Sequence, residues 1–127
     1  MSIRGIRGAT TVSQDTVEAI LDGTRELLEV ILLENPSLKK EDLASAFFTV
    51  TDDLCAVYPA KAARGMGWQH VPLMCAREIP VPDGIQHCIR VLLHWNTRIA
   101  QCEVKHIYLH AASRLRPDLS NLESSEE

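Results

Sequence analysis

Cys88-Ile89-Arg90-Val91-Leu92-Leu93-His94-Trp95 is the most apolar run of the chain. Its aliphatic and β-branched residues read as a strand, and its near-continuous hydrophobicity places that strand at the centre of a sheet. Upstream, Pro80-Val81-Pro82-Asp83-Gly84 is a loop. Val71–Cys75 and Ser45–Thr51 precede it as further strands, the latter β-branched and aromatic. Downstream, Lys105–Ala112 alternates and reads as the last strand, and Ile3–Ala9 opens the chain as the first. The glycines of Ile3-Arg4-Gly5-Ile6-Arg7-Gly8-Ala9 are unusual inside a strand, and point to close approach by a ligand or another backbone.

One long helix accompanies these strands. Val17, Ile20, Leu21, Thr24, Leu27, Leu28 and Ile31 repeat at helical spacing, with Glu18, Asp22, Arg25, Glu26 and Glu29 on the other face. Ser13 is the expected cap and Asn35-Pro36-Ser37 the stop. A helical turn is expected near Lys39–Leu43, and a short helix over Pro59–Arg64 with proline first. Strands and helices mix without strict βαβ alternation, so the fold class is α+β, a two-layer mixed sheet with one long helix packed on it. One helix cannot cover both faces of five strands. The second face needs a partner, and self-association is the commonest solution.

The chain has 127 residues, the size of one domain with room for a core. Apolar residues make up 46% and charged residues 24%, which excludes collagen, coiled coil and wholesale disorder. No stretch approaches the roughly 20 apolar residues of a membrane helix, and Met1–Gly5 lacks the apolar core of a signal peptide. A cytoplasmic protein without membrane contact is expected. The net charge is −4, and Asp118–Glu127 carries four acids and no base, so the rest of the chain is neutral. A neutral body argues against nucleic acid as a partner. Residues 1–119 are expected as the single domain, and 120–127 as an acidic, mobile tail.

Cys55, Cys75, Cys88 and Cys102 fit neither a zinc ribbon nor a redox dithiol. His106 and His110 are four apart, but on a strand that spacing separates them along one face. No metal site is expected. The chain has no nucleophile elbow, P-loop, zincin motif or dinucleotide fingerprint. What stands out is Arg90, a charge inside the most apolar strand, costly unless paired. It is either half of an ion pair, with Glu78 a candidate partner, or an anchor for an anionic ligand. Arg7, set among glycines, shares the ambiguity. Glu78, beyond an apolar strand, is an acceptor, an acid/base group or a solvated acid. Tyr108 is a core ring or a ligand contact, and Arg116 a surface charge or a ligand contact. Nine of the thirteen basic residues are Arg, the side chain suited to forked recognition of carboxylates.

Several blocks resemble the AroH class of chorismate mutases: Ile3-Arg4-Gly5-Ile6-Arg7-Gly8-Ala9-Thr10-Thr11-Val12, Ala56-Val57-Tyr58-Pro59-Ala60-Lys61-Ala62, Gly67-Trp68-Gln69-His70-Val71-Pro72, Cys88-Ile89-Arg90-Val91, His106-Ile107-Tyr108-Leu109 and Leu115-Arg116-Pro117-Asp118-Leu119. They stand in the family's order across about residues 2–119. The resemblance implies a homotrimer whose sheets form a pseudo α/β-barrel, with an active site at each subunit interface. It implies an isomerase that converts chorismate to prephenate on the way to phenylalanine and tyrosine, with no cofactor.

By matching motif, the resemblance implies Arg90 and Glu78 as catalytic residues. Arg7, Tyr108, Leu115 and Arg116 would bind substrate from the same subunit. Tyr58, Ala60, Lys61, Leu73, Met74 and Cys75 would come from its neighbour, and Ala76 and Arg77 complete the substrate-binding stretch before Glu78. Tyr58 stands where Phe is common, and Met74 where a small hydroxyl residue is common. Imine-hydrolysing Rid proteins share a trimeric architecture with an interface Arg. The occurrence of Arg7, Glu78, Arg90 and Tyr108 within these blocks separates the chain from them.

Overall fold

A computed structural model describes residues 1–115. Arg116 and the expected tail over 120–127 lie outside the described residues. Among the described residues, five strands form one sheet: β1 (Ser2–Thr11), β2 (Leu43–Val50), β3 (Leu73–Arg77), β4 (Cys88–Thr97) and β5 (Ile107–Tyr108). Their order is β3-β2-β4-β1-β5, so β4, the apolar run, is the middle strand. It is antiparallel to both β1 and β2, and β5 and β3 add parallel edges. The long helix α1 spans Val17–Glu34, and a short helix α2 (Ala60–Gly65) links β2 to β3. No helix among the described residues is long and apolar enough to cross a membrane.

The core lies between α1 and one face of the sheet. On α1, Ile20, Thr24, Leu27, Leu28 and Ile31 are buried. On β4, Ile89, Val91, Leu93 and Trp95 are buried beneath them, while Arg90, Leu92, His94 and Asn96 are only partly covered. That alternation is the period-two geometry of a strand. The sheet is therefore two-layered as expected, with one face covered and one open. Ile3, Phe47 and Met74 are exposed apolar side chains, and strand register places all three on the face that carries Leu92.

Three local expectations are corrected. Thr16, not Ser13, caps α1: its hydroxyl accepts from the Ala19 N–H at 3.0 Å. The last strand is only two residues long. His110 takes a positive φ of 55° and starts a 3-10 turn over His110–Arg114, so the chain leaves the sheet there. The glycine at position 8 is crowded on the core face by side chains, not by another backbone. A Cβ there would stand 2.9 Å from Ile31 Cδ1, 3.2 Å from Val91 Cγ1 and 3.3 Å from Leu27 Cδ1.

Candidate active site

Arg90 and Thr49 are directly opposite each other on β4 and β2, so both side chains stand on the open face. Glu78 follows β3, and its backbone N–H donates to the Val50 carbonyl at 2.8 Å. That bond fastens the start of the 78–86 loop to the end of β2 and turns the Glu78 side chain back over the sheet. Arg90 then grips it with a fork: Nε donates to Oε2 and Nη2 to Oε1, each at 2.8 Å. The Thr49 hydroxyl donates to the same Oε2.

Charge and solvation in this group pull in opposite directions. Burial works to raise the Glu78 carboxyl, but the Arg90 and Thr49 hydrogen bonds and the charges of Arg90 and Arg7 hold it below the usual carboxylate range. Arg90 is correspondingly raised, through its hydrogen bond to Glu78. The ion-pair reading of Arg90 is thus correct, but it leaves the anchor reading open. Arg90 remains about one-third exposed, and Nη1 has no protein partner among the described residues.

Two clefts meet at Arg90. The larger, about 500 Å³, lies between Glu78, the 79–86 loop, Thr51–Asp53, Cys88 and Leu115. The smaller, about 220 Å³, is walled by Arg7, Phe47, Thr49 and Leu92. Tyr108 belongs to the buried cluster with Ala9, Cys88 and Ala112, against which Leu115 packs. Among the described residues, Arg7, Glu78, Arg90, Tyr108 and Leu115 therefore gather around one end of the β4–β1 pair.

The remaining expected residues do not. Tyr58, Ala60, Lys61, Leu73, Met74, Cys75, Ala76 and Arg77 line neither cleft. Ala60 is buried in the core, and Lys61 is exposed on α2. Leu73 and Cys75 pack toward the core, whereas Met74 is exposed. Tyr58 is 71% exposed. β3 is an edge strand, so among the described residues backbone groups on its outer side have no sheet partner. Arg77 points to the Cys55 sulfur at 3.9 Å.

The family profile described as chorismate mutase type I matches residues 3–119. The chain belongs to the chorismate mutase type I family. It is 53% identical over 119 residues to chorismate mutase AroH of Thermus thermophilus, an alignment covering 94% of this chain and 98% of the relative. It is 48% identical over 127 residues to chorismate mutase AroH of Bacillus subtilis strain 168, covering 99% of each. A solved chorismate mutase structure from Clostridium thermocellum superposes with a TM-score of 0.84 at 46% identity, over 87% of this chain and 97% of that one.

Sequence reasoning missed some polar groups around these clefts. In sequence, Thr49 is only one residue of a β-branched strand. The Thr51 hydroxyl accepts from the Cys88 N–H at 2.9 Å and donates to Asp53. Asp53 in turn accepts from the His87 N–H, at 3.0 Å to Oδ2. His87 has a positive φ of 51°, so this clamp holds a strained residue at the entry to β4. Burial works to raise the Asp53 carboxyl, yet the Thr51 hydroxyl and the His87 N–H and ring keep it low. Burial pushes the Cys88 thiol up to about 11, so it stays a neutral wall residue. Strand alternation could have flagged Thr49. Thr51 and Asp53 left no pattern.

Proposed function

We propose that this chain is a chorismate mutase, converting chorismate to prephenate for phenylalanine and tyrosine synthesis as a cytoplasmic homotrimer. The observation that carries the reading is the Arg90–Glu78 fork on the open face, with Nη1 of the guanidinium unpartnered among the described residues and beside a cleft. Identity of about half the chain to the two AroH enzymes supports it.

The rearrangement is unimolecular. One carbon–oxygen bond breaks as one carbon–carbon bond forms, and no proton is transferred. The protein's contribution is then to select a compact conformer and to meet charge as it develops. Chorismate carries two carboxylates, and its ether oxygen gains negative charge as the bond stretches. Arg90, with Nη1 available, donates to that oxygen and to a carboxylate. Arg7 and Tyr108 hold a carboxylate, and Lys61 adds positive potential at the mouth. Glu78, kept ionised, accepts from the ring hydroxyl, with Cys75 beside it.

The trimer has a physical motive in the open face. Ile3, Phe47, Leu92 and Met74 offer apolar surface that a monomer leaves in water. A neighbouring subunit laid on that face brings Tyr58, Ala60, Lys61, Leu73, Met74 and Cys75 toward the Arg90 cleft. The β3 edge contributes backbone groups, so Met74 needs no side-chain hydroxyl to take part. The Tyr58 ring forms wall, and its hydroxyl alters that wall relative to Phe.

Incubating the purified protein with chorismate and following its loss and the appearance of prephenate tests the activity. Catalysed conversion is expected, and an unaccelerated rate contradicts the reading. Light scattering tests the assembly, with three chain masses expected and one chain mass contradicting it.

A further inference from the structure

We infer that Thr49 is a positioning residue that decides which oxygen of Glu78 meets the substrate. The inference rests on the chorismate mutase reading and extends it to a residue that touches no substrate in that reading. A carboxylate offers about four acceptor positions, two on each oxygen. Among the described residues, Oε2 of Glu78 accepts from both Arg90 Nε and the Thr49 hydroxyl, while Oε1 accepts only from Arg90 Nη2. Oε2 is therefore fully committed to the protein, and Oε1 keeps one acceptor position. Glu78 lines the larger cleft together with Arg90, so Oε1 is the oxygen left for a substrate hydroxyl.

The same contact fixes orientation. Rotation about the last bond of a Glu side chain is broad and roughly two-fold. The Arg90 fork alone would leave the carboxylate free to tilt with the guanidinium, because both hydrogen bonds come from one side chain. Thr49 supplies an independent donor from β2. Its β-branched side chain is stiff, and its backbone is locked by the ladder to β4. The Val50 carbonyl holds the Glu78 backbone from the same strand at 2.8 Å. The end of β2 thus fixes Glu78 at both ends, and through Glu78 it fixes the plane of Arg90.

The test compares Thr49→Val, which keeps the shape and removes the hydroxyl, with Thr49→Ser, which keeps the hydroxyl. Steady-state kcat and KM are measured on chorismate for both variants and the wild type. The Ser variant is expected within about twofold of wild type. The Val variant is expected to lose about tenfold in kcat/KM, the scale of one charge-assisted hydrogen bond, with most of the loss in kcat. Should the Val variant fail to fold, Thr49→Ala against Thr49→Ser carries the same comparison. If the wild type turns over chorismate and the hydroxyl-free variants match Thr49→Ser, the role of Thr49 is overturned while the chorismate reading stands. If the wild type leaves chorismate unchanged, the functional reading fails, and this inference with it.

Discussion

Glu78 and Arg90 meet edge to edge, two parallel hydrogen bonds of 2.8 Å joining a carboxylate to a guanidinium on the open face of the sheet. The two sides of the fork come from different parts of the chain: the middle strand of the sheet and a loop fastened to β2. An ammonium in place of the guanidinium could keep the charge but not the two-point geometry. Arg90→Lys and Arg90→Ala are therefore both expected to lower kcat on chorismate by at least a hundred- to a thousandfold, on the order seen when one donor to a developing oxyanion is removed. Near-normal turnover by either variant in a steady-state assay contradicts the assignment.

The pH dependence follows from the direction of the carboxylate shifts. Glu78 is held below its ordinary value and Arg90 above its own, so both stay ionised through neutrality. Turnover is expected to stay flat between about pH 6 and 9. A bell centred near neutrality indicates acid–base catalysis instead. Asp53 is also depressed, so its contribution to stability is complete above the unfolded value of 3.8 and is lost as pH falls through the lower folded value. Urea unfolding across the acid range is expected to show a shallower loss of stability for Asp53→Asn than for the wild type. Parallel curves contradict the Thr51–Asp53–His87 clamp.

Gly8 sits where α1 presses on β1. The three side chains around its missing Cβ belong to the packed core and have little room to withdraw. Gly8→Ala is expected to cost about 1–3 kcal/mol in denaturant unfolding, the usual range for overpacking. An unchanged midpoint shows that α1 can slide.

Thr16 carries the cap of α1. Thr16→Ala is expected to destabilise by about 1 kcal/mol, whereas Ser13→Ala is expected to stay within about 0.5 kcal/mol of wild type. Equal effects of the two contradict the observed cap. Both values come from thermal or urea unfolding of the single variants.

The long apolar run and the helical stripe were legible because each follows from one local periodicity, and they placed β4 at the centre and α1 over one face. Ser13 and Thr16 are both acceptable caps by residue type, and only the chain's path into α1 chooses between them. Lys105–Ala112 alternates like a strand, but the positive φ of His110 and its contact with Glu26 on α1, at 3.0 Å, take the chain off the sheet. Gly8 in sequence suggests close approach by a ligand or another backbone; the side chains of α1 that crowd it are not legible, because a sequence does not say which face of a strand a helix approaches. The ion pair of Arg90 was legible as a cost that needed a partner. Thr49 and Asp53 were not, since short polar residues acquire meaning only when strands from distant parts of the chain bring them together.

A crystal structure of the protein with a bicyclic diacid ether, shaped like the rearranging substrate, tests the central claim most directly. The account requires the Arg90 guanidinium to donate to the ether oxygen while still forked to Glu78. A complex in which that guanidinium turns to solvent, leaving the ether oxygen without a cation, contradicts it.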